Sequence, residues 1–369
     1  MKKITVLGAG NGGQTLAAHL KQKGHIVKLY EHPDFATNID IINQKKCIEL
    51  YGCITAKAKP DIATTDIKIA LEGSEIVYLV VPSFAHMPMI KLGKEFFEKN
   101  SIVVLIPGNF GSLEAFNEMG QIAGKKNITF CETDTMPYAC RMDEPGRVNV
   151  WGIKKGLNIA ALPGGKTKSC IQSLQDAFPI PLQPGLNVLS MGTGNLNMIA
   201  HCGTMLLNAG HIEATNGDFR FYTDGVTESV GAVIDEIDKE RLAVAKAFDL
   251  GLDDALTQYK TSYPVHDDKL YLALKNNPVY AAHGKDAPKT LKHRYVREDV
   301  PYLLTPVSEL GKVAAVKTPV IDSIILLLSV INSEDYRSGG RNLSILGLDN
   351  MDVKGIKSFI GSSEKYREP

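Results

Sequence analysis

A short, largely apolar run, Ile4-Thr5-Val6-Leu7, leads directly into Gly8-Ala9-Gly10-Asn11-Gly12-Gly13. No other stretch of the chain restricts its fold as much. The run reads as a buried parallel strand. The glycines allow a tight turn, a close backbone approach to a pyrophosphate and close packing of a helix on the strand. Gln14–Leu20 is expected to continue as that helix, with its N-terminal amides facing an anion. A second strand, Ile26–Tyr30, ends at Glu31, about 20 residues past the glycines, where a carboxylate can bind the ribose hydroxyls of an adenosine. Gly8, Gly10, Asn11, Gly12, Gly13 and Glu31 are therefore the expected dinucleotide contacts. Glu31 favours NAD over NADP because a carboxylate repels a 2′-phosphate. Lys28 and His32 lie close enough to keep NADP open.

The same alternation continues downstream. Glu75–Val81, Ser101–Ile106, Asn127–Glu132 and Leu157–Leu162 read as strands. Helical stretches, including Pro88–Lys99 and Ser112–Met119, fall between several of them. This is the pattern of a doubly wound α/β sheet, a Rossmann-type domain, expected over residues 1–186. Ligands of such sheets lie at the carboxyl ends of the strands. Those ends include Pro82–His86 and Pro107–Gly111, so Pro82 and Pro107 are placed beside the nicotinamide half, although ordinary strand-ending turns look the same. Beyond Leu186 the apolar spacing becomes helical. Met198, Cys202, Met205 and Leu206 share a face, as do Val230, Val233, Ile234 and Ile237. An all-helical catalytic domain is expected over 187–369.

Composition narrows the partners. Lys+Arg and Asp+Glu both number 41 in 369 residues. There is no basic excess for nucleic acid or an anionic membrane. The cysteines, Cys47, Cys53, Cys131, Cys140, Cys170 and Cys202, show neither CxxC nor zinc-like spacing. That usage suits reduced thiols in a cytoplasm and gives no metal site. The longest later apolar run, Ile321–Ile331, is too short to span a bilayer and reads as a buried helix.

Two segments carry candidate chemistry. In Asn195-Leu196-Asn197-Met198-Ile199-Ala200-His201, either asparagine can cap a helix. Asn197 and His201 then fall on one face, and an imidazole is a natural proton donor near neutral pH. Taken alone, His201 reads first as a core or surface histidine. In Arg294-Tyr295-Val296-Arg297-Glu298-Asp299-Val300-Pro301, Arg294 and Arg297 offer planar forks for a carboxylate. Asp299 can hold the second histidine nitrogen, or equally serve as a helix N-cap. Tyr222, Tyr263, Tyr271 and Tyr280 are candidate pocket aromatics for which core packing is the plainer role.

Taken together, the chain resembles the octopine/nopaline dehydrogenases, the opine dehydrogenase family. The resemblance rests on Gly8–Gly13, Val80-Val81-Pro82-Ser83-Phe84-Ala85-His86 and Pro107-Gly108-Asn109-Phe110-Gly111. It continues through Glu132-Thr133-Asp134-Thr135-Met136-Pro137-Tyr138-Ala139-Cys140-Arg141, Asn195-x-Asn197-x-x-x-His201, Arg294–Pro301 and, more loosely, Thr318–Asp322. These stretches fall in the family's order over nearly the whole chain. The resemblance implies His201 as catalytic acid/base, Asp299 as its partner and Arg294 as the grip on a substrate carboxylate. It leaves Arg297 as an unassigned second carboxylate contact. Ketopantoate reductases and 6-phosphogluconate-type dehydrogenases share the plan but use a lysine early in the second domain, and no lysine lies between Leu186 and Asp238. The implied reaction is NAD(P)H-dependent condensation of an amino acid with a 2-oxo acid, pyruvate foremost, to an N-(carboxyalkyl)amino acid, and its reverse. The rivals are a simple 2-oxo acid or ketone reductase and a non-catalytic NAD(H)-sensing module. The oligomeric state is open, a homodimer being one option.

Overall fold

The structure is a computed structural model and describes residues 1–281 and 284–361. Its strands are β1 (Lys3–Leu7), β2 (Ile26–Tyr30), β3 (Ile48–Gly52), β4 (Ala56–Ala58), β5 (Ile62–Thr64) and β6 (Ile76–Leu79). They continue with β7 (Ile102–Leu105), β8 (Thr129–Thr133), β9 (Tyr138–Glu144), β10 (Arg147–Ile153), β11 (Leu157–Leu162) and β12 (Leu182–Pro184). Eight of these form one sheet in the order β12-β11-β8-β7-β6-β1-β2-β5. From β5 to β8 every pairing is parallel, while β11 runs antiparallel to β8. The expected doubly wound sheet is thus present, with a mixed edge.

The central strands read as unbroken apolar runs because both faces of the sheet are covered. Val6, Leu29, Tyr78 and Val104 enter one core, and Leu7, Val77, Leu79 and Leu105 the other. Strand β1 has β2 on one side and β6 on the other, so the chain order reverses at β1. That is the topological switch point, where ligands of open α/β sheets bind. The glycine loop follows β1 directly and leads into the helix Asn11–Gln22.

Three expectations need correction. Strands β3, β4, β9 and β10 make a separate four-stranded sheet that the α/β alternation did not announce. Its strands are half exposed, and only alternate residues such as Val148 and Val150 are buried, so none reads as a continuous apolar run. The helix expected from Pro88 begins at Ser83, with Pro82 as its N-cap and Pro88 inside it. The run Ile321–Ile331 lies in a helix, Pro319–Asn332, but only one side is buried: Leu326 and Val330 are 63% and 68% exposed.

The chain forms two compact units. One comprises Met1–Gly192 together with the C-terminal residues from Ser358, and the other Thr193–Lys357. The first unit thus runs six residues past the expected end at 186, and among the described residues it takes in 358–361. The second unit is helical among the described residues and is built around Glu228–Ala247, capped by the Thr227 hydroxyl. Two buried charges organise it. The Arg241 guanidinium pairs with Asp238 and donates to the carbonyls of Thr193 and Asp253. The Glu240 carboxylate accepts the N–H groups of Val320 and Ile321 at 2.8 and 2.9 Å, so it caps the helix Pro319–Asn332. No helix among the described residues is long and apolar enough to cross a membrane.

Candidate active site

The glycine loop divides its work residue by residue. Gly8 has φ +103°, and a Cβ there would lie 2.5 Å from the Val80 carbonyl oxygen. A Cβ on Gly13 would fall 1.8 Å from the Gly8 carbonyl oxygen, so this glycine brings helix and strand together. Gly12 faces the Met136 methyl. Gly10 differs: nothing lies within 4 Å of its would-be Cβ, and as N-cap of Asn11–Gln22 it supplies no side-chain acceptor. Open space beside uncapped helical amides is the cradle a pyrophosphate needs. The residues present fit a dinucleotide.

Ala9, in the middle of the loop, is clamped from both sides. Its N–H donates to Glu31 Oε2 at 2.8 Å, and its carbonyl accepts from Gln14 Nε2 at 2.7 Å and Asn38 Nδ2 at 3.2 Å. The other Glu31 oxygen accepts the His32 N–H at 2.9 Å. Glu31 is buried, and burial raises its pKa against the opposing pull of these N–H groups and His32. The carboxylate predicted for the ribose thus also braces the loop. Asn11 accepts the Met142 N–H at 3.0 Å, and Gln14 Oε1 accepts the Gly146 N–H at 2.8 Å, which ties the small sheet to the loop helix. Sequence reading missed Gln14, a buried amide immediately after the last glycine.

At the end of β7, Pro107 leads into Asn109 and Phe110, both at positive φ. Asn109 Nδ2 donates to the Ser83 hydroxyl at 2.9 Å, so the turns after Pro82 and Pro107 are joined. The buried Glu132 carboxylate accepts Ser112 N–H and Oγ–H at 2.9 and 2.7 Å and the Phe110 N–H at 3.3 Å. The resemblance quoted Glu132, and the structure gives it this bracing position.

In the helical unit the two candidate segments meet. His201 sits between the short helices Asn197–Ala200 and Cys202–Leu207, where one longer helix was expected. Asn195 Oδ1 accepts the Asn197 N–H at 3.0 Å, but the N-cap of the short helix is Leu196 rather than either asparagine, and the Asn197 carbonyl accepts the His201 N–H at 2.8 Å. Asp299 follows the helix Arg294–Arg297, and its side chain caps no helix. Instead Asp299 Oδ2 lies 2.6 Å from His201 Nδ1. Both residues are buried. A carboxylate only accepts, so the Nδ1 proton is fixed and Nε2 is left to exchange protons.

The imidazole is enclosed by aromatic rings. Tyr295 stacks on it with centroids 3.7 Å apart, Phe221 lies at 6.3 Å, and the Tyr222 hydroxyl is 2.8 Å from Nε2. Tyr222 stacks in turn on Tyr280, whose hydroxyl lies 3.4 and 3.5 Å from those of Tyr259 and Tyr263. Three of the four candidate tyrosines therefore form a chain leading away from His201, through Tyr222 and Tyr280 to Tyr263. Tyr271 is elsewhere, against Gly231. Tyr295 and Phe221 were not foreseen, although Tyr295 stands next to Arg294 in the motif.

The two arginines separate. Arg294 is exposed, and its Nε lies 3.6 Å from the Glu298 carboxylate. Arg297 is paired with Glu334 through Nε and Nη2. Arg297, expected as a second carboxylate contact, thus turns its Nε–Nη2 edge to a carboxylate of the chain itself.

A switch-point glycine loop in one unit and a buried His–Asp pair in a helical unit define an NAD(P)-dependent dehydrogenase of two-unit plan. The comparisons agree. Residues 184–332 match the NAD/NADP octopine/nopaline dehydrogenase alpha-helical domain, and residues 3–121 match the NAD-dependent glycerol-3-phosphate dehydrogenase N-terminus. The chain is 34% identical to the opine dehydrogenase of Arthrobacter sp. (strain 1C), over 97% of this chain and 99% of the relative. It is 25% identical to the octopine dehydrogenase of Pecten maximus, over 92% of each. A solved structure of octopine dehydrogenase with NADH and L-arginine superposes with a TM-score of 0.82 at 21% identity, covering 99% of both chains. The chain belongs to the opine dehydrogenase family, NAD(P)-dependent oxidoreductases acting on a CH–NH bond.

Proposed function

We propose that the chain condenses a 2-oxo acid, pyruvate, with an amino acid and reduces the resulting imine to an N-(carboxyalkyl)amino acid, with NADH as the preferred donor. The observation that carries this reading is the buried His201–Asp299 pair, which commits Nδ1 and leaves Nε2 as the working nitrogen. When bound, the reduced dinucleotide supplies a hydride.

The chain's own residues do the remaining work. The open flank at Gly10 and the uncapped first turn of Asn11–Gln22 receive the pyrophosphate. Glu31 meets the adenosine ribose with the lone pairs not used on Ala9 and His32, and Pro82 and Pro107 border the nicotinamide. Arg294 takes the 2-oxo acid carboxylate with its planar fork, and Asn197 offers an amide one helical turn before His201. His201 takes a proton from the amino acid's ammonium group so that the free amine can attack, returns that proton to the departing water, and faces the resulting protonated imine through a neutral Nε2. Asp299 fixes the ring and offsets the charge of the imidazolium. Holding two substrates and a donor in register supplies much of the rate.

The free cysteines support a cytoplasmic location. The decisive experiment follows NADH oxidation with pyruvate alone and with a panel of amino acids, with mass spectrometry of the product. The expected result is turnover that requires the amine and yields a secondary amine carrying two carboxylates. Turnover indifferent to the amine would leave a simple 2-oxo acid reductase. Binding of NADH without turnover on any pair would leave a sensing module.

A further inference from the structure

The working nitrogen of His201 does not face open space. Nδ1 is committed to Asp299, and the Tyr222 hydroxyl lies 2.8 Å from Nε2. One ring face is covered by Tyr295. Any proton that leaves or reaches the imidazole in this arrangement meets the Tyr222 oxygen first.

We propose that Tyr222 is a proton relay for this reaction, carrying the proton between His201 Nε2 and the substrate heteroatom. The inference rests on His201 being the acid/base. In the forward step the substrate nitrogen or oxygen takes the Tyr222 hydroxyl proton as the Nε2–H proton moves to the phenol oxygen. One O–H and one N–H bond break, one bond to the substrate and one O–H bond form, and Tyr222 ends neutral. The reverse sequence restores the imidazolium. No redox equivalent is involved beyond the hydride already required.

Three features suit the residue to this role. A hydroxyl donates to a neutral Nε2 and accepts from a protonated one by rotating its own hydrogen, so no heavy atom moves. Burial, with Tyr295, Tyr259, Tyr263 and Asp299 nearby, keeps the phenol protonated far above neutral pH. The ring is held on Tyr280 at 4.1 Å and edge-on to Phe221 at 5.0 Å. The hydroxyl is thus fixed by its ring as well as by its partner.

Two substitutions and one replacement test the relay. Tyr222→Phe keeps the stacked ring and removes only the oxygen. Its kcat is expected to fall at least about tenfold, toward the range of a lost acid/base group, with the NADH dissociation constant unchanged. Replacement of Tyr222 by a fluorinated tyrosine keeps the hydroxyl but lowers its pKa. The kcat–pH profile should then lose activity at lower pH on its alkaline side than the wild type, which a purely structural tyrosine would not cause. His201→Asn separates the two levels of the argument. If His201→Asn abolishes turnover while Tyr222→Phe and the fluorinated protein behave as wild type, the relay is wrong and the acid/base reading stands. If His201→Asn retains turnover, that reading falls, and the relay with it. Should Tyr222→Phe fail to fold, the pH profile of the fluorinated protein decides alone.

Discussion

At the residue scale the site depends on which atoms hold protons. Asp299 fixes the Nδ1 proton of His201 because a carboxylate can only accept. An asparagine there can present N–H to Nδ1 and move the imidazole proton to Nε2. Asp299→Asn should therefore lower kcat on the order of 10²–10⁴-fold while leaving NADH affinity intact. Steady-state kinetics with a fluorescence titration of NADH checks both parts. Glu31 gives a second case. Its two oxygens accept from Ala9 and His32, and a glutamine can satisfy only one of those N–H groups with its single oxygen. Glu31→Gln should raise the NADH dissociation constant and narrow the discrimination against NADPH, read by titrating both cofactors. Loss of a hydrogen bond to a buried charged group, about 1.5–3 kcal/mol, sets the scale. The pairing of His201 with Asp299 was legible only through an ordered set of motifs. Nothing in either segment alone distinguishes an acid/base from a core histidine, or a partner carboxylate from an N-cap. That Asp299 caps nothing is a fact of three-dimensional packing. The fate of Arg297 was illegible for the same reason: its partner Glu334 lies 37 residues away in sequence.

At the element scale the strand–loop–helix unit makes the sharpest separation between folding and binding. The Cβ of Gly13→Ala would lie 1.8 Å from the Gly8 carbonyl oxygen. Helix and strand must move apart, at a cost on the order of 3 kcal/mol. Gly10→Ala meets no atom within 4 Å. Its cost to stability should be about 1 kcal/mol or less, the usual effect of alanine at an N-cap. Its methyl group occupies the space left for phosphate, however, and NADH should bind at least about tenfold more weakly, a loss of about 1.4 kcal/mol. Thermal melts and NADH titrations of the two variants should give opposite rankings. If Gly10→Ala binds NADH as tightly as the wild type, the pyrophosphate lies elsewhere. This unit was legible because each glycine has a separate mechanical reason. The small sheet was not. Its hairpin turns at Pro145-Gly146, with Gly146 at φ +84°, but its strands carry Arg141, Asp143, Glu144 and Arg147. The polar, half-exposed faces hide the alternation of Val148 and Val150. The sheet is held by Asn11 and Gln14, residues whose bonds across more than a hundred positions leave no local trace.

At the scale of the whole molecule, equal numbers of basic and acidic residues leave no net-charge argument for acid sensitivity at neutral pH. Individual buried groups decide instead. His293 caps the helix Arg294–Arg297, its Nδ1 accepting the Tyr295 N–H at 3.3 Å, which requires an unprotonated nitrogen. Burial first, then the charges of Arg294 and His201, lower its pKa from 6.5 to about 4. Between those values the unfolded chain binds the proton and the folded chain does not, so stability rises with pH across the window. The contribution is complete above pH 6.5 and is lost as the pH falls toward 4. His19, lowered by burial and Lys23, adds to the same slope. Glu31, raised by burial, works in the opposite sense near the ordinary carboxylate range, because its folded form holds the proton more tightly. His293→Asn isolates one share. Asparagine accepts the same N–H as an N-cap and does not titrate. The melting temperature of His293→Asn should stay near wild type at pH 7 and fall less steeply than wild type between pH 6.5 and 4, with the His19 share remaining. Parallel curves across that window would show that His293 titrates alike in the folded and unfolded chains, and its place at the cap would then have no part in the acid stability of the enzyme.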